Sequence, residues 1–268
     1  MKMPILKARI FMPCIVVLFS CLLFPAFVKA APPASGCIEG DCTAGSGTYM
    51  YPDGSKYIGE FKEGMPEGRG KLYYANKSFY SGGFKKGKKN GTGSFSGPGN
   101  RQYDGGFKDD KLNGSGTYRY GDGMVYRGDF RDDKWNGNGD LTFPDGKTYQ
   151  GGFKDNKRHG TGKFTWQDGQ TYNGGYANDK MEGYGVLSFP DGSRYEGGFR
   201  NNVYEGEAKF FYPDGKIFAG RFKGGHANGK GTITHPDGRV EEVEYAMGEP
   251  VGTPKLLPKE KDSGWSTY

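Results

Sequence analysis

The chain has 268 residues, with 49 glycines, 19 tyrosines, 19 phenylalanines, 37 Lys and Arg, and 31 Asp and Glu. The formal charge of +6 and pI near 8.9 overstate its basicity, because residues 1–30 hold Lys2, Lys7, Arg9 and Lys29 and no acid, leaving 33 bases against 31 acids beyond them. That balance excludes an argument for nucleic acid as a partner.

Residues 1–30 read as a secretory signal peptide: a basic start, an apolar run over 10–28, and Val28-Lys29-Ala30 ahead of the expected cleavage after Ala30. The mature protein is then expected outside the cytoplasm, periplasmic or secreted. Two rival readings are a retained membrane anchor, for which the 19-residue run is just long enough, and a lipoprotein modified within Leu18-Phe19-Ser20-Cys21. Pro13 and Pro25 suit a continuous spanning helix poorly.

Beyond the leader the sequence repeats. Tyr57, Tyr80, Tyr103, Tyr126, Tyr149, Tyr172, Tyr195 and Phe218 fall 23 residues apart without a gap. Counting each as offset 0, Gly recurs at offset 2 and an aromatic ring at offset 4. Offset 11 is always Gly, offset 13 is Gly except at Ala208, offsets 15 and 17 are mostly apolar or aromatic, and Asp-Gly fills offsets 19 and 20 in six of the eight units. Marked positions two apart share one face of a strand. Two such runs separated by a polar segment such as KDNKRH predict an antiparallel hairpin, and Pro-Asp-Gly predicts the turn to the next one. A glycine on the same face as Tyr or Phe leaves room for the ring to lie over backbone.

This YxGxFxxGxxxGxG pattern resembles the MORN (membrane occupation and recognition nexus) repeat, of an exported bacterial type, over nearly all of the chain after the leader. The resemblance implies an all-β fold, an elongated single-layer antiparallel sheet of stacked hairpins. It also implies binding or scaffolding work with no catalytic residues to carry over. Members have been linked both to anionic phospholipids and to protein assembly.

The array is expected to fill residues 31–252 with about nine units and a closing half-unit, roughly 90 Å long at twice the strand spacing per hairpin. Its first unit starts at Ala34 and carries Cys37 and Cys42, the only cysteines beyond the leader. In an oxidising compartment the pair is expected to form a disulfide that caps the terminal unit. Two cysteines without nearby His fall short of a metal site, and lipid attachment at Cys37 is a minor alternative lying far from the apolar run.

The units at Tyr57 and Tyr80 are the most basic: Arg69, Lys71, Lys77, Lys85, Lys86, Lys88, Lys89 and Arg101 span residues 69–101 with no acid between them. The bland reading is a solvated loop. The sharper one is an anion site, with Lys85, Lys86, Lys88 and Lys89 at a hairpin tip. From Tyr103 onward, bases at offsets 5 and 8 alternate with acids such as Asp109, Asp132 and Asp155, read as mutual neutralisation that discourages edge pairing. Val243, Tyr245, Gly248 and Gly252 keep phase in the closing half-unit, and residues 253–268 are expected to be a flexible tail in which Trp265 and Tyr268 are a candidate docking motif.

No catalytic constellation is visible. His159, His226 and His235 sit at unrelated offsets, and each recurrent turn aspartate precedes Gly, which turn geometry explains without calcium. No cofactor is expected. The sequence favours an exported, non-enzymatic scaffold that binds a protein partner or itself, with binding of anionic phospholipid or envelope surface through residues 69–101 as the alternative.

Overall fold

The computed structural model describes residues 35–258. The leader, with its anchor and lipoprotein alternatives, and the pair Trp265 and Tyr268 lie outside the described residues. Among the described residues there is no helix, and 21 strands form one open antiparallel sheet of stacked hairpins. Contacts group them into two compact units, residues 35–136 and 137–258.

In the first unit the strands are β1 (Gly36–Gly40), β2 (Ser46–Met50), β3 (Lys56–Lys62), β4 (Met65–Tyr73), β5 (Phe79–Lys85), β6 (Lys88–Gly97), β7 (Arg101–Lys108), β8 (Lys111–Arg119) and β9 (Val125–Arg131). β10 (Lys134–Thr142) starts just before the boundary between the units. The second continues with β11 (Thr148–Lys154), β12 (Lys157–Thr165), β13 (Thr171–Ala177), β14 (Lys180–Ser188), β15 (Arg194–Arg200) and β16 (Val203–Phe211). It closes with β17 (Ile217–Lys223), β18 (His226–Thr234), β19 (Val240–Ala246), β20 (Glu249–Pro250) and β21 (Lys255–Leu256).

Two turn chemistries alternate along the chain. Within a hairpin the connection is only two residues long, for example Asp155 and Asn156 between the paired Lys154 and Lys157. Both turn residues have positive φ, 49° and 67° there and 50° and 68° at Asn201 and Asn202. This is the type I′ turn whose twist matches that of the strands, which is why Asp, Asn and Gly dominate these positions. The polar separator expected from the sequence therefore shrinks to two residues, and its flanks belong to the strands. Between hairpins, three residues such as Pro190, Asp191 and Gly192 close a wider loop, with Gly192 at φ 87°. The Asp191 carboxylate accepts the Ser193 N–H at 2.8 Å, and the same bond recurs at Asp53, Asp122, Asp168 and Asp237. Turn geometry thus uses the aspartates that formed a ladder in the sequence.

The glycine at offset 11 has a different task. Gly151 pairs with Gly162 and Phe153 with Arg158, so three residues of β12 face Gly152 in a bulge. Gly160 in that bulge has φ 79°, and Gly91, Gly114 and Gly206 have φ 80°, 80° and 84°. The second strand of each hairpin is therefore not one alternating run, as the sequence suggested, but two segments rejoined in phase by a left-handed residue.

One face of the sheet carries the core. Tyr149 lies over Gly162, where any Cβ would clash with its hydroxyl and ring edge, and is 1% exposed. Its hydroxyl donates to the Gly152 carbonyl at 2.9 Å. Six further tyrosines, Tyr57 to Tyr195, make the same bond at 2.8–3.0 Å. Each ring is met edge-on by the offset-4 ring of its own hairpin and, wherever both lie in one unit, by that of the next: Tyr80 by Phe84 and Phe107, Tyr172 by Tyr176 and Phe199, with centroids 4.9–5.3 Å apart. A single layer of sheet thereby buries its aromatics against glycine backbone and one another.

The end of the array differs from expectation. Gly252 has φ 71°, as in the other bulges, and β20 and β21 both pair with β19, Tyr245 with Pro250 and Glu241 with Leu256. The closing half-unit is thus a nearly complete tenth unit, and residues 253–258, assigned to a flexible tail from their prolines, carry its last ladder pairs.

Candidate functional site

Offset 17 places a ring beside every three-residue turn of the regular repeats except the one after Gly97: Tyr51, Tyr74 and Tyr120 in the first unit, and Phe143, Trp166, Phe189 and Tyr212, then His235, in the second. All are half-buried, unlike the buried tyrosines next to them. Phe164 holds Trp166 at 4.6 Å and Phe210 holds Tyr212 at 4.8 Å between centroids. Burial pushes the Tyr212 phenol up to about 12, with Tyr245 and Asp214 adding to the shift. The result is a strip of supported rings that still present their edges to solvent. In the sequence these positions looked like core. What marks them as surface is their place beside a turn, where no further residue covers them.

The eight bases of residues 69–101 do not converge. Arg69 and Lys71 flank Gly70, which lies under Tyr57, so both extend from the opposite face of the sheet. Lys77 sits in a three-residue turn with φ 67° and Arg101 follows another, both at the edge away from the tip. Lys85, Lys86 and Lys88 remain together at the tip of the β5–β6 hairpin and share a surface depression with Lys108, Asn90 and Asn113. Among the described residues none of Lys85, Lys86, Lys88 and Lys108 has an ion-pair partner. Lys85 is paired directly with Lys88, and Lys108 with Lys111, an arrangement of like charges that costs stability unless an anion answers it.

Lys89 is elsewhere. It pairs with Phe84 on the aromatic face, and its ammonium lies 5.6–5.9 Å from the ring centroids of Tyr74, Tyr80, Phe95 and Phe107. Burial lowers its pKa, opposed by the carboxylates of Asp110 and Asp133. The sequence held the signal for this: offset 9 is otherwise Pro66, Leu112, Trp135, Arg158, Met181, Tyr204 and Ala227, a position of the core face.

The acids at the tips are partly structural. Asp110 donates its N–H to the Lys89 carbonyl at 3.0 Å and accepts the Lys89 N–H on its carboxylate at 2.9 Å. Asp133, Asp179 and Asn202 tie neighbouring tips in the same way. Of the expected neutralising rows, Lys111 and Asp132 meet at 3.4 Å. Cys37 and Cys42 have their Sγ atoms at bonding distance across the β1–β2 connection, with Cα atoms 5.9 Å apart. Among the described residues no group of three or more His, Cys, Asp or Glu is placed to hold a metal ion. His235 faces Glu241 at 3.2 Å; His226 and His235 stand at the two ends of β18, and His159 lies in β12.

The MORN repeat model matches nine segments, residues 44–56, 57–79, 80–100, 103–125, 126–148, 149–171, 172–194, 195–217 and 218–238. No curated protein sequence matches the chain. Among solved structures, the TCP10 domain of Danio rerio CPAP in complex with a peptide of Danio rerio STIL is 15% identical, over 82% of this chain and 99% of that one, with a TM-score of 0.47. The same domain without the peptide gives 14%, 80%, 88% and 0.29. The SAS-4 (dCPAP) TCP domain of Drosophila melanogaster, in complex with a proline-rich motif of dSTIL, gives 17%, 84%, 97% and 0.20. These likenesses carry no argument about partners.

Proposed function

The chain belongs to the MORN repeat family, and from that premise we propose that it is an exported, non-enzymatic scaffold that binds a protein partner, or a second copy, through the half-buried aromatic strip. The strip itself carries the reading: rings at Phe143, Trp166, Phe189 and Tyr212 recur once per hairpin, each braced by a buried neighbour. Such a surface offers apolar area in a fixed geometry. In this reading Cys37 and Cys42 are oxidised and cap the first hairpin.

A second reading is favoured by one observation, the unpaired ammonium groups at the β5–β6 tip. There the partner is an anionic phospholipid or envelope surface, and the contact is narrower than residues 69–101: Lys85, Lys86, Lys88 and Lys108. Ionic strength separates the two, because a phosphate contact weakens steeply at about 0.5 M salt whereas packed aromatic surface does not. The test is sedimentation of the mature protein with anionic vesicles and, in parallel, its self-association and stoichiometric complex formation, each at low and high salt. The scaffold reading expects a salt-resistant complex lost in Trp166→Ser and Phe189→Ser and retained when the four lysines become Ser. Salt-sensitive vesicle binding that disappears with the lysines, and no protein complex, would replace it.

A further inference from the structure

On the face of the sheet opposite the aromatics, one place in the first unit gathers positive charge. Ile58 follows Tyr57, Ser81 follows Tyr80, Arg69 and Lys71 flank Gly70, and Thr92 precedes Gly93, so all five side chains leave from this face. They line a depression of about 580 Å³ floored by glycine backbone. The ladder explains the open ground. Lys71 is paired with Ser81 and Arg69 with Gly83, and Gly83 has no room for a side chain, because a Cβ there would run into the Asn90 carbonyl. The bulge in the β5–β6 hairpin thus keeps the space between Arg69 and Thr92 clear.

The charge in this depression is unanswered. Among the described residues neither the Arg69 guanidinium nor the Lys71 ammonium has an ion-pair partner, and the Ser81 and Thr92 hydroxyls have no hydrogen-bond partner. The nearby acids are engaged elsewhere: Glu60 accepts the Arg69 backbone N–H at 3.0 Å and Glu67 the Lys86 backbone N–H at 2.8 Å. Other bases on this face do meet acids, Arg119 with Asp104 at 3.9 Å and Lys230 with Glu242 at 3.6 Å. No other unit has a base at both offsets 12 and 14.

We propose that Arg69, Lys71, Ser81 and Thr92 bind the phosphate of a small soluble phosphate monoester, with its carbon part against Ile58. A monoester carries about −1.5 to −2 charges at neutral pH and has three acceptor oxygens, which matches two unanswered cations and two free hydroxyls; a carboxylate would answer only one of the cations. The planar Arg69 fork takes two phosphate oxygens side by side, and Lys71 adds a point charge. Ile58, 37% exposed, is the one apolar side chain lining the depression. The site is separate from both surfaces considered above, since it shares no residue with the aromatic strip or with the lysines of the β5–β6 tip.

The test titrates the full chain with glycerol 3-phosphate, inorganic phosphate and sulfate by calorimetry at low ionic strength, with circular dichroism to confirm that each variant keeps its sheet. Saturable one-site binding of glycerol 3-phosphate is expected, weakened about tenfold in Arg69→Ser and about threefold in Thr92→Val, and unchanged when Lys85, Lys86, Lys88 and Lys108 become Ser. The ester is expected to bind about threefold tighter than inorganic phosphate, an advantage lost in Ile58→Ser. Absence of saturable binding would overturn the proposal, as would full binding by Arg69→Ser or loss of binding with the tip lysines. Equal affinity for inorganic phosphate would reject the ester. Binding of phosphatidic acid vesicles through Arg69 and Lys71, without binding of the soluble ester, would put a lipid headgroup in its place. Should Arg69→Ser disturb the sheet, Arg69→Lys decides, because it keeps the charge and removes the fork: weaker binding is expected, and unchanged binding rejects the site.

Discussion

At the scale of single residues, three glycine and tyrosine positions of one repeat make separable demands. Gly162 is needed for space, because a Cβ there would clash with the hydroxyl and ring edge of Tyr149. Gly160 is needed for conformation: nothing lies within 4 Å of the place its Cβ would take, but its φ is 79°. Tyr149 is needed for its hydroxyl as well as its ring. Gly162→Ala is expected to cost about 2–3 kcal/mol by overpacking, Gly160→Ala about 1–2 kcal/mol by backbone strain, and Tyr149→Phe about 1 kcal/mol for the unanswered Gly152 carbonyl. Urea midpoints at constant m check the order, and equal losses for the two glycine variants would show that space and backbone are not distinct constraints. The chain already carries one milder exception. Ala208 replaces Gly on the strand beneath Tyr195, and there Tyr195 stacks on Tyr204 with centroids 3.9 Å apart at 17°.

At the scale of the hairpin, the tips are held by backbone mimicry. The Asn202 side chain accepts the Met181 N–H at 2.7 Å while its own N–H donates to the Met181 carbonyl at 3.0 Å. Asn202→Ala removes the first bond and puts Ala at φ 68°, and is expected to cost about 2–3 kcal/mol from the two together, with faster amide exchange confined to this tip and its neighbour. At the first hairpin, non-reduced peptide mapping is expected to recover Cys37 joined to Cys42, and opening that short loop to cost about 2 kcal/mol in the chain-entropy account; two free thiols would remove the cap. The hairpins themselves were legible in the sequence, because period, alternation and Asp-Gly turns are local signals that recur in unit after unit. The bulge was not, since a glycine at offset 11 looks the same whether it lies under a ring or takes a left-handed φ. Nor was the dispersal of the eight bases. Sequence neighbours Lys88 and Lys89 leave the strand on opposite faces, and Lys77 and Lys85 belong to opposite edges, so a charge run along the chain is not a charge cluster in space.

At the scale of the whole molecule, a core of buried tyrosines packed against phenylalanines makes stability depend on phenol ionisation. Burial, first among the causes in each case, holds Tyr80, Tyr103, Tyr120, Tyr149 and Tyr212 up at about 12, against about 10 in an unfolded chain. Between those two values the unfolded chain has released protons that the folded chain still binds. Folding is therefore fully supported below pH 10 and loses support as pH rises towards 12, by up to ~1.4 kcal/mol per pH unit for each such tyrosine. Lys89 acts in the other direction, because its lowered pKa means the folded chain gives up a proton before the unfolded one does. One lysine opposes five tyrosines, so the net slope is downward. Thermal melts followed by circular dichroism are expected to hold level up to about pH 10 and then to fall steeply and cooperatively before pH 12, with Tyr149→Phe making the fall shallower although that variant is less stable at neutral pH. A melting temperature that stays level through pH 12 would mean that the buried phenols ionise in the folded sheet as easily as in the unfolded chain, and that the glycine-backed rings are not sealed from water.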